Sequence, residues 1–179
     1  MKRNLKSTHM MKGDIVRLIL DDHRALKRLL RILKSQDRSI SERHKAFEEF
    51  APLITAHSKP EEETLYSTMK DIEKLRLGAY EGDVEHDLVD QMIAEARRTD
   101  DAGLWCAKVK VLAELVEHHL KEEEEEYLPK FKKYCTSEER VELGDRYREL
   151  RAKLLAFGDA DAIQDALLRI PVPELHLRH

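Results

Sequence analysis

Apolar residues recur at three- and four-residue intervals along most of the chain, the period of an α-helix with one buried face. Over about 13–36 the stripe is Val16, Ile19, Leu26, Leu30 and Leu33. A second helix is predicted over about 41–75, capped by Ser41, with Phe47, Phe50, Ile54, Leu65 and Met69 facing inward. Pro52 and Pro60 fall inside it, and each is expected to kink it by removing a backbone hydrogen bond. The stretch "RLGAYEGD", 76–83, carries two glycines and reads as a loop. A third helix follows over about 83–98, with Val89, Ile93 and Ala96 on one face, and "TDDAG", 99–103, breaks the chain again. The fourth helix is predicted over about 103–134. "TSEERVELGDRYRELRAKLLAFG" reads as a fifth, capped by Thr136 or Ser137 and ended by Gly158.

Four long helices joined by short loops predict an all-α fold: an antiparallel up-down four-helix bundle with an additional C-terminal helix. The expected organisation is a flexible N-terminus over 1–12, the bundle and fifth helix over 13–157, and a short helix and extended tail over 158–179. Leu, Glu, Lys, Arg and Ala dominate, 38% of the 179 residues are charged and only six are glycine, which also favours helix over sheet.

Charge and motifs narrow the function classes. The formal net charge is -4, and no basic stripe with interleaved aromatics appears, so nucleic acid is not an expected partner. No apolar run approaches the roughly 20 residues of a membrane span, and the basic N-terminus has no apolar core of a secretory signal. Cys106 and Cys135 stand 29 positions apart with no CxxC pair and read as reduced thiols of a cytoplasmic protein. Glycine-rich phosphate loops and GxSxG elbows are missing, which argues against nucleotide and serine-hydrolase chemistry.

The histidines carry the chemistry. His23, His57, His86 and His119 each fall on the apolar face of a different helix, whereas His9, His44, His118, His176 and His179 read as surface residues. Glu61 lies four after His57 and Glu123 four after His119, so each carboxylate stacks on its imidazole's face. In "EHHLKEEEEEYLP" the helical phase selects His119 and Glu123 over His118 and Glu122; Glu124 and Glu125 point out, with support expected from Lys121 and Lys130. The order repeats, since His23 and His86 are 63 apart while His57–His119 and Glu61–Glu123 are each 62 apart. Two inward carboxylates among four inward imidazoles need a cation or each other's protons. A pseudo-twofold site between two hairpins would set two ions side by side, with iron, manganese or zinc suited to this donor set. Tyr66 and Tyr127, beside the motifs, read first as core rings and second as redox neighbours.

The pattern H…HxxxE…H…HxxxE resembles the hemerythrin-like, or HHE cation-binding, domain. "DDHRALKRLL" is similar to the family's first motif, and "AHSKPEEETLYSTM" and "EHHLKEEEEEYLPKF" to its two motifs of the form H-x3-EEE-x-LYP. The likeness covers about residues 14–155, and Pro129, ten after His119, gives the same register as helical phase. It implies a non-heme diiron centre, oxo- or hydroxo-bridged, in a four-helix bundle that binds dioxygen, peroxide or a related small ligand. The implied ligands are His23, His57, Glu61, His86, His119 and Glu123.

Two departures bear on function. Oxygen carriers of the family have a fifth histidine from an HxxxH pair in the third helix, but here Gly82 stands four before His86 and Asp90 four after. The second carboxylate is also Glu at i+4 rather than Asp at i+5. Both weaken simple oxygen carriage and favour a centre that senses or reacts with an oxidant. The alternatives left open are a peroxidase- or catalase-like enzyme and an iron-homeostasis module. Asp90, Glu62 or Glu126 could add a ligand, and Pro60 could turn Glu61.

Overall fold

The computed structural model describes residues 13–157, which are helical with no strand among them. The expectations for 1–12 and 158–179, including Gly158 as a helix stop, lie outside the described residues. The long helices are α1 (Ile15–Lys34), α2 (Ile40–Glu61), α3 (Arg76–Arg97), α4 (Ala102–Glu122) and α5 (Ser137–Phe157). α2 continues through a π-helical turn, Glu62–Tyr66, into one more α turn, Ser67–Lys70. α4 does the same through the π turn Glu123–Tyr127 into Leu128–Tyr134.

Local chemistry sets the helix ends. Asp14 caps α1 by accepting from the Val16 amide at 2.9 Å. α2 starts at Ile40 rather than after Ser41, because Ser39 is the serine with a glutamate three residues on. The Ser39 hydroxyl accepts from the Glu42 amide and the Glu42 carboxylate accepts from the Ser39 amide, closing a capping box. That amide, and Arg38 beside it, hold the Glu42 carboxyl down at about 2. Asp101 caps α4, and Thr136 and Glu139 cap α5 reciprocally.

The segment 76–83 is not a loop; it forms the first two turns of α3. Its glycines serve close packing instead of a turn. A Cβ on Gly78 would lie 2.7 Å from the Tyr127 ring, and one on Gly82 would lie 2.5 Å from the Tyr66 ring and hydroxyl. Tertiary contact overrides weak local propensity here.

α1 packs on α2 and α4, α3 packs on α4, and α5 lies across α1 and α2. The buried interior has two apolar halves. One joins Leu26, Leu30, Leu33, Phe47, Phe50, Val89, Ile93, Trp105 and Val109; the other joins Ile15, Val16, Ile19, Tyr66, Met69, Phe131 and Tyr147. Between them, at one level of α1, α2, α3 and α4, sit the inward histidines. Arg43, itself buried, donates to the carbonyls of Leu33 and Cys106 and ties the end of α1 to α4. Cys106 and Cys135 are free thiols.

α5 is locked against the start of α1 at Gly144, where a Cβ would fall 1.9 Å from the Gly13 carbonyl oxygen and 2.9 Å from the Ile15 amide. Both are backbone atoms and cannot rotate away. Gly144→Ala should therefore destabilise the protein by about 1–3 kcal/mol, the usual cost of overpacking. Denaturant melts of the two proteins test this, and an unchanged midpoint would contradict the packing described.

Candidate metal centre

Helical phase brings the six candidate residues into one layer. His23, His57, His86, His119, Glu61 and Glu123 are all buried, with both glutamates at 0% exposure. His23 Nε2 lies 3.1 Å from Glu123 Oε2, and His57 Nε2 lies 3.3 Å from Glu61 Oε2. On the other side Glu123 Oε2 is 3.7 Å from His119 Nε2, and Glu61 Oε2 is 3.8 Å from His86 Nε2. Each carboxylate thus stands between an imidazole of the first helical pair and one of the second. Donor atoms of His23, His57, Glu61 and Glu123 lie within 4.8 Å of one another, as do those of Glu61, His86 and His119. Two groups that could each hold a cation therefore share Glu61.

The outer nitrogen of every ring is held. His23 Nδ1 meets Glu124 at 3.0 Å, His86 Nδ1 meets Glu62 at 3.2 Å and His119 Nδ1 meets Glu85 at 2.6 Å. A carboxylate only accepts, so these Nδ1 atoms carry the hydrogen. His57 Nδ1 lies 3.1 Å from the Tyr147 hydroxyl, which spends its own proton on Asp22 at 2.8 Å and so accepts from the ring. Arg151 holds the same Asp22 oxygen at 2.6 Å. In its neutral form each ring then presents its Nε2 lone pair to the centre, the arrangement that orients metal-binding histidines.

Those inner atoms lack ordinary partners. His23 Nε2, His57 Nε2, both Glu61 oxygens and Glu123 Oε2 have no hydrogen-bond partner among the described residues. Their short mutual distances set lone pair against carboxylate, and His86 Nε2 and His119 Nε2 face each other at 3.0 Å. Buried polar atoms left so carry a large desolvation cost unless a proton or cation lies between them. The donor set fits a borderline divalent metal such as iron.

Electrostatics agree with the geometry. Burial, and then the Glu123 charge, push the Glu61 carboxyl well above the ordinary carboxylate range. Burial opposes a charge on His119, but Glu123 and Glu85 outweigh it and raise the pKa of that ring. Burial also opposes ionisation of Glu123, but the His119 charge, and then the contact with His23, outweigh it and hold that carboxyl low, so in the metal-free layer a proton stands where a cation could. Burial, and then His23, keep the His57 ring well below the ordinary imidazole range.

Tyr66 and Tyr127 are core rings, as their sequence positions suggest, but the contacts made by several neighbours escape sequence reasoning. Tyr66 is fully buried and donates to Glu123 Oε1 at 2.6 Å, leaving Oε2 for the centre. Burial, and then Glu123, raise its pKa well above the ordinary phenol value, so it stays a donor. Gly82, four before His86, makes the room that the Tyr66 ring occupies. In the second motif the order is Tyr127–Leu128 where the first has Leu65–Tyr66, so Tyr127 turns away and donates to Glu81 at 3.0 Å. Glu124 is not a solvated residue leaning on Lys121 or Lys130; it crosses to α1 to hold His23 and Lys27. Glu125 is exposed and paired with Lys121, as expected, while Lys130 serves Glu126. Asp90 pairs with Lys59 and Glu126 with Lys130, and neither they nor Glu62 belong to the two groups at the centre. Pro60 does not displace Glu61, whose distance to His57 is close to that of Glu123 to His119. The π turns follow both HxxxE pairs, so Pro60 is not their common cause. His44 is exposed as expected, though its ring stacks on Trp105 at 3.7 Å.

The family described as the hemerythrin HHE cation-binding domain matches residues 14–131, which span the whole centre. The chain belongs to the hemerythrin family. No curated protein and no solved structure matches it. Within this hemerythrin domain the His and Glu groups are the features that could hold the cation the family is described as binding. No helix among the described residues is long and apolar enough to cross a membrane.

A raised Glu61 pKa means that the folded, metal-free protein binds a proton the unfolded chain has already lost. Above the ordinary carboxylate range that contribution to stability falls as pH rises. Glu61→Gln removes the titration, so its stability should fall less steeply over the same interval. Thermal melts of both metal-free proteins across pH test this; parallel curves would contradict the assignment.

Proposed function

We propose that this hemerythrin-like chain binds a non-heme diiron pair, with His23, His57, Glu61, His86, His119 and Glu123 as its protein ligands. The supporting observation is the convergence of four Nε2 atoms on two fully buried carboxylates, three of whose four oxygens lack a hydrogen-bond partner among the described residues. In this reading His23 and His57 serve one iron and His86 and His119 the other, with Glu61 and Glu123 available to both. The scaffold is an antiparallel up-down four-helix bundle of α1 to α4, supported by their short connections and by the packing of α1 on α2 and α4. Residues 13–157 act as one unit, with α5 contributing Tyr147 to the shell of His57.

Bound iron would supply redox chemistry toward dioxygen, peroxide or a related small ligand. The chain supplies the rest. Glu124, Tyr147, Glu62 and Glu85 orient the four rings, Tyr66 holds one Glu123 oxygen, and the apolar halves on either side exclude water. Only four histidines are offered, which favours an open position for the small ligand. Binding or sensing of an oxidant is the primary reading. Tyr66, a buried phenol at the edge of the centre, favours a second one, a peroxide-consuming enzyme.

Iron-replete expression should yield about two irons per chain and near-ultraviolet bands that respond to azide or peroxide. His119→Ala should lose the bands and most of the iron, while His118→Ala keeps both. Metal analysis with visible spectroscopy reads this directly, and zinc alone, or equal losses in the two variants, would sink the proposal. Steady turnover of hydrogen peroxide would favour the enzyme; binding without turnover would favour the sensor or carrier.

A further inference from the structure

The repeat that matches His23 with His86 and His57 with His119 also relates the outer faces of the two hairpins. Asp22 and Glu85 are 63 apart, like His23 and His86, and Ala56 and His118 are 62 apart, like His57 and His119. In the first hairpin both positions lie under α5. Asp22 accepts from Tyr147 and Arg151, and Ala56, 0% exposed, packs with Leu154. Among the described residues no helix covers the second hairpin in this way, and the His118 side chain is 63% exposed. Glu85 and His118 instead line an open cleft of about 480 Å³ with Tyr80, Glu81, Val84 and Glu122.

The cleft carries both halves of a helix-docking surface. Its apolar half is a row on α3: Leu77, Tyr80, Val84 and Leu88, at intervals of three, four and four, are 71%, 52%, 59% and 43% exposed. On α1 the matching positions are Asp14, Arg17, Asp21 and Ala25, so the row is not a by-product of the repeat. Single apolar residues on a surface are ordinary, whereas a contiguous row marks a contact surface. Its polar half is acidic. Glu81, Glu85 and Glu122 meet Tyr127, His119 and His118 rather than Lys or Arg, which favours a basic occupant. A second copy would set these same carboxylates against each other. Residues 159–179 carry four acidic side chains against two arginines, so their charge does not match the cleft either.

We infer that the cleft is a docking groove for a helix of another protein, amphipathic and arginine-bearing, seated on α3 and α4 as α5 is seated on α1 and α2. Apolar side chains on its inner face would cover Tyr80 and Val84. An arginine beside them would meet Glu81 and Glu122 as Arg151 meets Asp22. This inference stands whatever the buried centre binds.

A fluorescently labelled helical peptide of leucine, alanine and arginine, with its leucines on one face, serves as the probe on full-length protein. Anisotropy should show binding, and amide NMR shifts should cluster on 77–88 and 118–122. Two double variants change surface side chains and leave the core untouched: Tyr80→Ala/Val84→Ser removes the apolar half, and Glu81→Gln/Glu122→Gln the charge. Each should bind about tenfold more weakly, the loss expected of contacts central to an interface. The same peptide with glutamate for every arginine should not bind. Shifts centred elsewhere, or an unchanged affinity in either variant, would overturn the inference. So would a wild-type dimer in sedimentation that Val84→Asp abolishes, because the occupant would then be a second copy.

Discussion

The structure is organised around two carboxylates with no access to water. Glu61 and Glu123 are fully buried, and the groups that face them are four imidazoles and the Tyr66 hydroxyl rather than lysine or arginine. A buried charge without a counter-charge is among the most costly arrangements a fold can contain. Apolar halves above and below supply the burial free energy that lets the layer exist, and they keep its dielectric low. A cation shared by these donors would answer the whole constraint at once.

Everything in the next layer out serves to hold that arrangement. Three carboxylates and one phenol fix the Nδ1 atoms, so ring orientation is set from outside. Each of these partners comes from a helix other than the one carrying its histidine: Glu124 from α4's π turn, Tyr147 from α5, Glu62 from α2's π turn and Glu85 from α3. The rings are therefore positioned only once the helices have packed. α5 joins the network through Tyr147, which explains why Gly144 must stay small enough to let that helix approach α1.

Helical phase made much of this legible in the sequence. Placing His23, His57, His86 and His119 against their apolar stripes assigns each to an inner face, and i+4 spacing adds Glu61 and Glu123. What stayed hidden depends on contacts between distant segments. The two glycines of 76–83 look like loop formers, and only the tyrosines packed against them reveal why they lie in a helix. Glu124 sits in a run of identical neighbours, and its role depends on His23 and Lys27, about a hundred positions away. The start of α2 could have been read, since Ser39, and not Ser41, has Glu at the third position after it.

The central claim concerns location as much as composition. Crystals of iron-loaded protein, with diffraction collected across the iron absorption edge, would locate each ion by its anomalous signal. The account expects two peaks in the buried layer, one beside the Nε2 atoms of His23 and His57 and one beside those of His86 and His119, with Glu61 and Glu123 between them. A single peak, or iron found only away from the four Nε2 atoms, would contradict it.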